Sequence, residues 1–383
     1  MKKLLLLVLT LSAASTALAQ DSIAKASNFF INGYIKDMQT FSIDSDFRHV
    51  EWGNLVHNRV NLKWKPSEQI TGAVEVRSRI FYSDAPDLPA GSIAVRNVNE
   101  YLNMQEVWIN THSMVFTSNV ERLYLDYRSG KFNFRVGRQR INWGMATTWN
   151  PNDIFNSYNF LDFDYEERPG TDGAKIKYSV SNTSNLEFAY AHTSISGGNI
   201  GALKYAFNKW NYDFQILTGV YYNKPTVGGG WAGYIGDAGF KGEAQYFFAG
   251  RDSTGHLNVT METDYKFAGD WYVNFGLLYN NYGLSGPVNN INAIDLNLSP
   301  KNLMPTKWNL ILSTTKQFSP RLSASTALLL SPGTNLFILL PSVQYNLATN
   351  LDLDAFWQSF FAEVNNDFKA MRHLGYLRVK YSF

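Results

Sequence analysis

In HLNVTMETDYKF, residues 256–267, Leu257, Val259, Met261, Thr263, Tyr265 and Phe267 alternate with Asn258, Thr260, Glu262, Asp264 and Lys266. A β-strand sends successive side chains to opposite faces, so this stretch has one apolar side and one polar side. The same split recurs in RVNLKW, AVEVRSRI, AKIKYSV, YDFQILTGV and RLSASTALLL, predicting antiparallel strands with one face in an apolar medium and the other in water. Beyond Gln20 no run of about 18 apolar residues occurs, which excludes a helical span.

Seventeen such segments can be read between residues 29 and 383, one of them over 131–142. Single-chain bacterial barrels have even strand numbers, so the glycine-rich VGGGWAGYIG, residues 227–236, is expected to hide one more strand. A soluble sandwich and a membrane barrel both satisfy the alternation, and three further features favour the barrel. Aromatic residues gather at strand ends (Trp64, Tyr82, Tyr127, Trp210, Trp271, Tyr279, Trp308), as in interfacial girdles. Short connections such as KPSEQ, SG and NKW alternate with long ones. The chain ends LRVKYSF, which resembles the last strand of bacterial outer-membrane barrels; that resemblance implies that Phe383 is read by the outer-membrane assembly machinery.

The expected fold is therefore all-β: a single transmembrane antiparallel β-barrel of about 18 strands, with about 16 as the fallback. Short turns face the periplasm, long loops face outward, and membrane lipid surrounds the wall. The opening MKKLLLLVLTLSAASTALA reads as a signal peptide over 1–19, leaving 20–383 as the barrel. The chain has no cysteine, so thiolate metal sites and disulfides are excluded, and no cofactor is expected. A net charge of +2 argues against a nucleic-acid partner.

The strand KFNFRVGRQR carries Phe132, Phe134 and Val136 outward and Arg135 inward, and strict alternation then sends Arg138 and Arg140 into lipid. Near the midplane that costs about 2–4 kcal/mol. A bulge at Gly137 is expected to turn Arg138 and Arg140 inward; the alternative is that both snorkel to the headgroups. The loop over 142–172, with Trp143, Trp149, Phe155, Tyr158 and Phe160, is too long and too aromatic to lie exposed, and is expected to fold into the lumen. Its Asp153, Asp162, Asp164, Glu166 and Glu167, beside Arg168, would face a wall bearing Arg77, Arg79, Arg135, Arg138 and Arg140 and form a constriction. Pairing that merely pins the loop is the competing role for these charges.

The run GRQRINWGMATTWNPNDIFNSYNFLDFDYEERPGTDGAKIKY resembles a little-characterised porin-like family of Gram-negative outer-membrane barrels. The shared elements are a Gly-Arg-Gln strand end, an N-W-G turn, a W-N-P-x-D-x-F loop and an E-x-R-P-G return. Carried over, Gly137, Arg138, Gln139, Trp143, Trp149, Pro151, Asp153, Arg168, Pro169 and Gly170 are the family positions. The resemblance implies a barrel and transport, without a substrate.

A porin-like channel for passive or substrate-preferring diffusion of small solutes fits the polar inner faces. A closed or plugged barrel acting as adhesin or scaffold stays open, as does a transporter of hydrophobic molecules with a wall break near Gly228–Gly230. A homotrimer stays open too. No G-x-S-x-G or H-E-x-x-H motif suggests an enzyme, and the six histidines are scattered.

Overall fold

The computed structural model describes residues 27–83, 99–156, 169–195, 197–250, 254–287 and 298–383. The expected signal peptide, Tyr158, Phe160, Asp162, Asp164, Glu166, Glu167 and Arg168 lie outside the described residues. In chain order the strands are β1 (Phe29–Asp44), β2 (Val50–Trp64), β3 (Ile70–Ser83), β4 (Gln105–Asn110), β5 (Met114–Ser129), β6 (Phe132–Gln139), β7 (Thr171–Ser179), β8 (Ser184–His192), β9 (Ile200–Lys209) and β10 (Tyr212–Tyr221). They continue with β11 (Lys224–Ile235), β12 (Ala238–Phe247), β13 (His256–Phe267), β14 (Trp271–Asn280), β15 (Trp308–Ser319), β16 (Leu322–Ser331), β17 (Leu336–Ala348), β18 (Leu351–Val364) and β19 (Asp367–Ser382).

All strands except the short β4 form a closed 18-stranded antiparallel barrel, in which consecutive wall strands pair and β1 meets β19. At the seam Gly33 N donates to Phe383 O at 2.9 Å and Phe383 N donates to Gly33 O at 3.0 Å. Closure leaves no sheet edge, which a wall surrounded by hydrocarbon requires. The hidden strand is β11, paired without a break to β10 and β12, so the wall is continuous at Gly228–Gly230.

Alternation sorts the wall as expected. Ile35, Val136, Ile216, Phe275 and Leu377 are exposed on the outer face, whereas Lys36, Arg59, Asp126, Glu243 and Glu262 are buried on the inner one. Trp64, Tyr127, Trp210 and Trp271 are exposed at the strand ends that carry the short turns.

The arginine strand departs from expectation. Gly137 has a φ of 115°, but it pairs in register with Tyr124 and Gly173, so there is no bulge there. The irregularity lies on the neighbouring strand: Glu75 pairs with Arg122 and Val76 with Val120, leaving Glu121 as the extra residue. The shift lets two consecutive charged residues, Glu121 and Arg122, both avoid lipid, and Glu121 pairs with Arg77 at 2.6 Å.

Arg138 therefore keeps its place in the alternation, and neither expected outcome describes it. The chain leaves the wall after Gln139, three residues before the expected strand end at 142, and the vacated place between β5 and β7 is taken by residues 99–104 and β4. Val120 N donates to Met104 O at 3.2 Å and Asp172 N to Asn99 O at 3.3 Å. The Arg138 side chain fills the remaining gap. Its Nε donates to Asp172 Oδ1 at 2.8 Å, Nη1 to Val120 O at 2.9 Å and Nη2 to Leu102 O, while Glu100 lies 3.3 Å from Nη1. Arg138 is a plug within the wall, neither lining the pore nor snorkelling.

Arg138→Met strands two buried carboxylates, Asp172 and Glu100, and is expected to destabilise the refolded barrel by about 3–5 kcal/mol. Arg128→Met, removing an exposed partner of Asp126, should cost about 1 kcal/mol or less. Urea unfolding of both variants in lipid vesicles measures the difference.

Candidate functional site

The inner face of β8–β12 is unusually apolar near its outer end, where Ala189, Ala191, Ile200, Ala202, Leu217, Tyr221 and Phe247 are buried. Ile141, Trp143, Ile154 and Phe155 of the segment after β6 pack on this surface, so the loop does fold into the lumen, and its described part spans 140–156. Trp143 donates through Nε1 to Glu187 and meets Phe155 edge-on at 5.0 Å.

An inserted loop carries backbone N–H groups that need acceptors once water is excluded. Two wall carboxylates supply them. Glu243 on β12 accepts from the N–H groups of Met145, of Ala146 at 2.6 Å and of Asn152 at 2.9 Å. Glu262 on β13 accepts from Thr147 at 2.7 Å, Thr148 at 2.8 Å and Trp149 at 3.4 Å. Gln215 on β10 donates to Trp143 O at 2.6 Å and to Asn152 Oδ1 at 2.9 Å.

This docking explains the glycine run. Gly228 and Gly230 point inward, and a Cβ on Gly230 would stand 3.1 Å from Glu243 Cγ and 3.2 Å from Asn152 Oδ1. The wall is left without side chains where the loop must approach it.

A second inserted segment was not anticipated. Residues 298–307, between β14 and β15, bury Leu303 and Met304 against Leu278, Ile311, Leu329, Ile338 and Leu340 on the inner wall, and Trp149 of the first loop joins the same cluster. Asn280 Nδ2 donates to Met304 O at 2.8 Å, and Asn258 Nδ2 to Lys301 O at 3.0 Å. The runs ALLL and LFILL were the available signal, because strands apolar on both faces are covered on both faces.

Among the described residues these two segments pack on the β8–β18 side, and the inner face of β1–β3, β5–β7 and β19 is lined differently. That wall presents Lys36, Arg59, Arg77, Arg79, Arg122, Arg135, Arg378 and Lys380. Fewer carboxylates accompany them: Glu75 lies 2.5 Å from Arg59, Glu121 2.6 Å from Arg77, Asp126 2.8 Å from Arg135, and Asp354 of β18 2.8 Å from Arg378. Arg135 also lies over the Tyr124 ring, 4.5 Å from its centroid.

Of the residues expected at the constriction, Arg77, Arg79 and Arg135 stand on the inner wall, and Arg140 is partly buried where the loop begins. Asp153 is buried in the docked loop. The motif residues hold structure: Gln139 Nε2 donates to Gly173 O at 3.2 Å, Pro169 O accepts from Asn156 Nδ2 at 2.8 Å, and Pro151 is buried. Gly170 lies where a Cβ would come 2.5 Å from Glu121 O and 2.7 Å from Arg138 Cγ. Glu262, placed by the alternation on a polar strand face, and Glu243 are the anchors that the motif did not reveal.

Replacing both anchors, Glu243→Ala with Glu262→Ala, removes the acceptors of six backbone N–H contacts and should loosen the loop. Larger and noisier single-channel conductance is expected in planar bilayers; unchanged conductance would show that the loop does not set the narrowest passage.

No protein-family model matches the chain, and no curated protein resembles it in sequence. Its fold, however, is similar to that of several solved outer-membrane proteins. Acinetobacter baumannii OccAB4 superposes with a TM-score of 0.60 at 9% identity, over 94% of this chain and 100% of that one. A BenF-like porin from Pseudomonas fluorescens Pf-5 gives 0.58 at 11% identity over 93% and 99%, and the outer membrane protein opdK of Pseudomonas aeruginosa 0.56 at 10% over 92% and 98%. The chain thus has the 18-stranded barrel fold of these proteins at very low sequence identity.

Proposed function

We propose that the protein is an outer-membrane porin-like channel, rather than an enzyme, which passes small solutes between an inserted loop and a basic wall. The carrying observation is the asymmetry of the lumen: two large apolar clusters under inserted segments along β8–β18, and guanidinium groups beside one small apolar cluster of Met38, Leu55, Phe81 and Val115 along β1–β7 and β19. Ion pairs hold most of these arginines in place, and the surplus of positive charge favours solutes bearing a carboxylate or another anionic group. The likeness to solved porins supports the same reading.

The C-terminal strand ending at Phe383 would carry the assembly signal. Self-association of barrels is favoured at one place on the outer face, where Asp37, Gln39, Asn54, Asn58, Ser78 and Ser118 interrupt the apolar surface of β1–β3 and β5. Asp37 Oδ1 accepts from Gln39 at 2.6 Å and from Asn54 at 2.9 Å, yet remains exposed. Polar groups at bilayer depth are better covered by protein than by lipid. Covering this face by a second copy predicts that Asp37→Leu shifts the native oligomer toward monomer in detergent, read by light scattering.

Purified protein in planar bilayers should give discrete openings, with a reversal potential in a KCl gradient that reports preference for chloride. Arg77→Ser together with Arg79→Ser should reduce that preference severalfold. Silent bilayers would instead support a plugged barrel.

A further inference from the structure

The extracellular end of the lumen holds basic groups that the proposed pathway along β1–β7 does not use. Lys301, in the second inserted segment, reaches the inner wall near the outer ends of β10 and β12: its Nζ stands 5.1 Å from the centroid of Tyr221 and 5.6 Å from that of Phe247. Its backbone is fixed, because Asn258 Nδ2 donates to the carbonyls of both Lys301 and Pro300. Phe247 is the ladder partner of His256, and Tyr221 that of Lys224, so Lys224, His256 and Lys301 converge on one rim of the mouth. The His256 ring packs on Tyr282 with centroids 4.6 Å apart, and its buried Nδ1 has no hydrogen-bond partner among the described residues.

We propose that Lys301, Lys224 and His256 form an anion-recognition site at the outer mouth, taking the oxyanion end of a solute, carboxylate or phosphate, before it enters the constriction. The charges of Lys301 and Lys224 both bear on His256, and that of Lys224 bears on Lys301. Burial, and then Lys224, hold the Lys301 ammonium below the usual lysine range. A bound oxyanion would relieve that repulsion and could accept from His256 Nδ1–H. The exposed ring of Tyr282 supplies an apolar shelf beside it. The docked backbone makes this a fixed site rather than a cloud of surface lysines. As a capture point it extends the channel reading, but anion binding here does not require that the channel conduct.

Full-length protein in detergent, with ring-labelled histidine, offers a direct readout, since only six imidazoles are present. Titration with inorganic phosphate, and separately with acetate, should move the His256 signal saturably. Lys301→Met and Lys224→Gln should each weaken that binding about tenfold, the loss of roughly one charged contact. Heat-modifiable gel mobility confirms that each variant is a closed barrel. An unmoved His256 signal, or the same affinity in both variants, would overturn the site. A saturable shift from a protein silent in bilayers would support the site while counting against the channel.

Discussion

Hydrocarbon offers no hydrogen-bond partners, and the organisation of this molecule follows from that. The wall must pair every backbone N–H and C=O along its length, so leaving it is costly wherever a strand turns inward. β6 does leave, after Gln139, and the structure answers with three substitutes at one place: residues 99–104, the short β4, and the guanidinium of Arg138. An arginine that strict alternation would place in lipid is instead spent on carbonyls that no longer have a neighbouring strand. Asp172 and Glu100 neutralise it inside the wall, where an isolated charge would be expensive.

The same requirement governs the lumen. A loop pressed onto the inner wall loses water from its amides, and the carboxyl oxygens of Glu243 and Glu262 accept from them instead. Nearer its outer end the same wall is apolar, so docking also buries Trp143, Ile154 and Phe155, while Trp149 joins the neighbouring apolar cluster. Glycine appears where any side chain would hold the loop away. The opposite wall carries guanidinium groups beside a small apolar cluster of Met38, Leu55, Phe81 and Val115. Two inner surfaces of unlike chemistry within one barrel are thus a consequence of which half the loops cover.

Much of this was legible in the linear pattern, and the failures are physically instructive. The strand at 256–267, the parity argument that exposed β11, and the inward folding of the long aromatic loop rest on local alternation and on the cost of exposing aromatic surface. The bulge was misplaced because a glycine is a permissive position, not a command; the extra residue sits at Glu121, where two adjacent charges both need the inner face. A glutamate such as Glu262 could be assigned a side but not a partner, since the backbone N–H groups that donate to it lie about a hundred residues away in the chain.

By itself, then, the order of residues determined the periodicity, the all-β architecture and, away from the irregularity at Glu121 and the end of β6, the face on which strand residues lie, since these depend on a side chain and its immediate neighbours. Only the folded barrel decided that Arg138 plugs the wall, that residues 298–307 join the first loop, and that Glu243 and Glu262 serve as anchors. Those roles arise when closure brings distant segments within hydrogen-bonding reach, and no local pattern records which carbonyl or amide will be left waiting there.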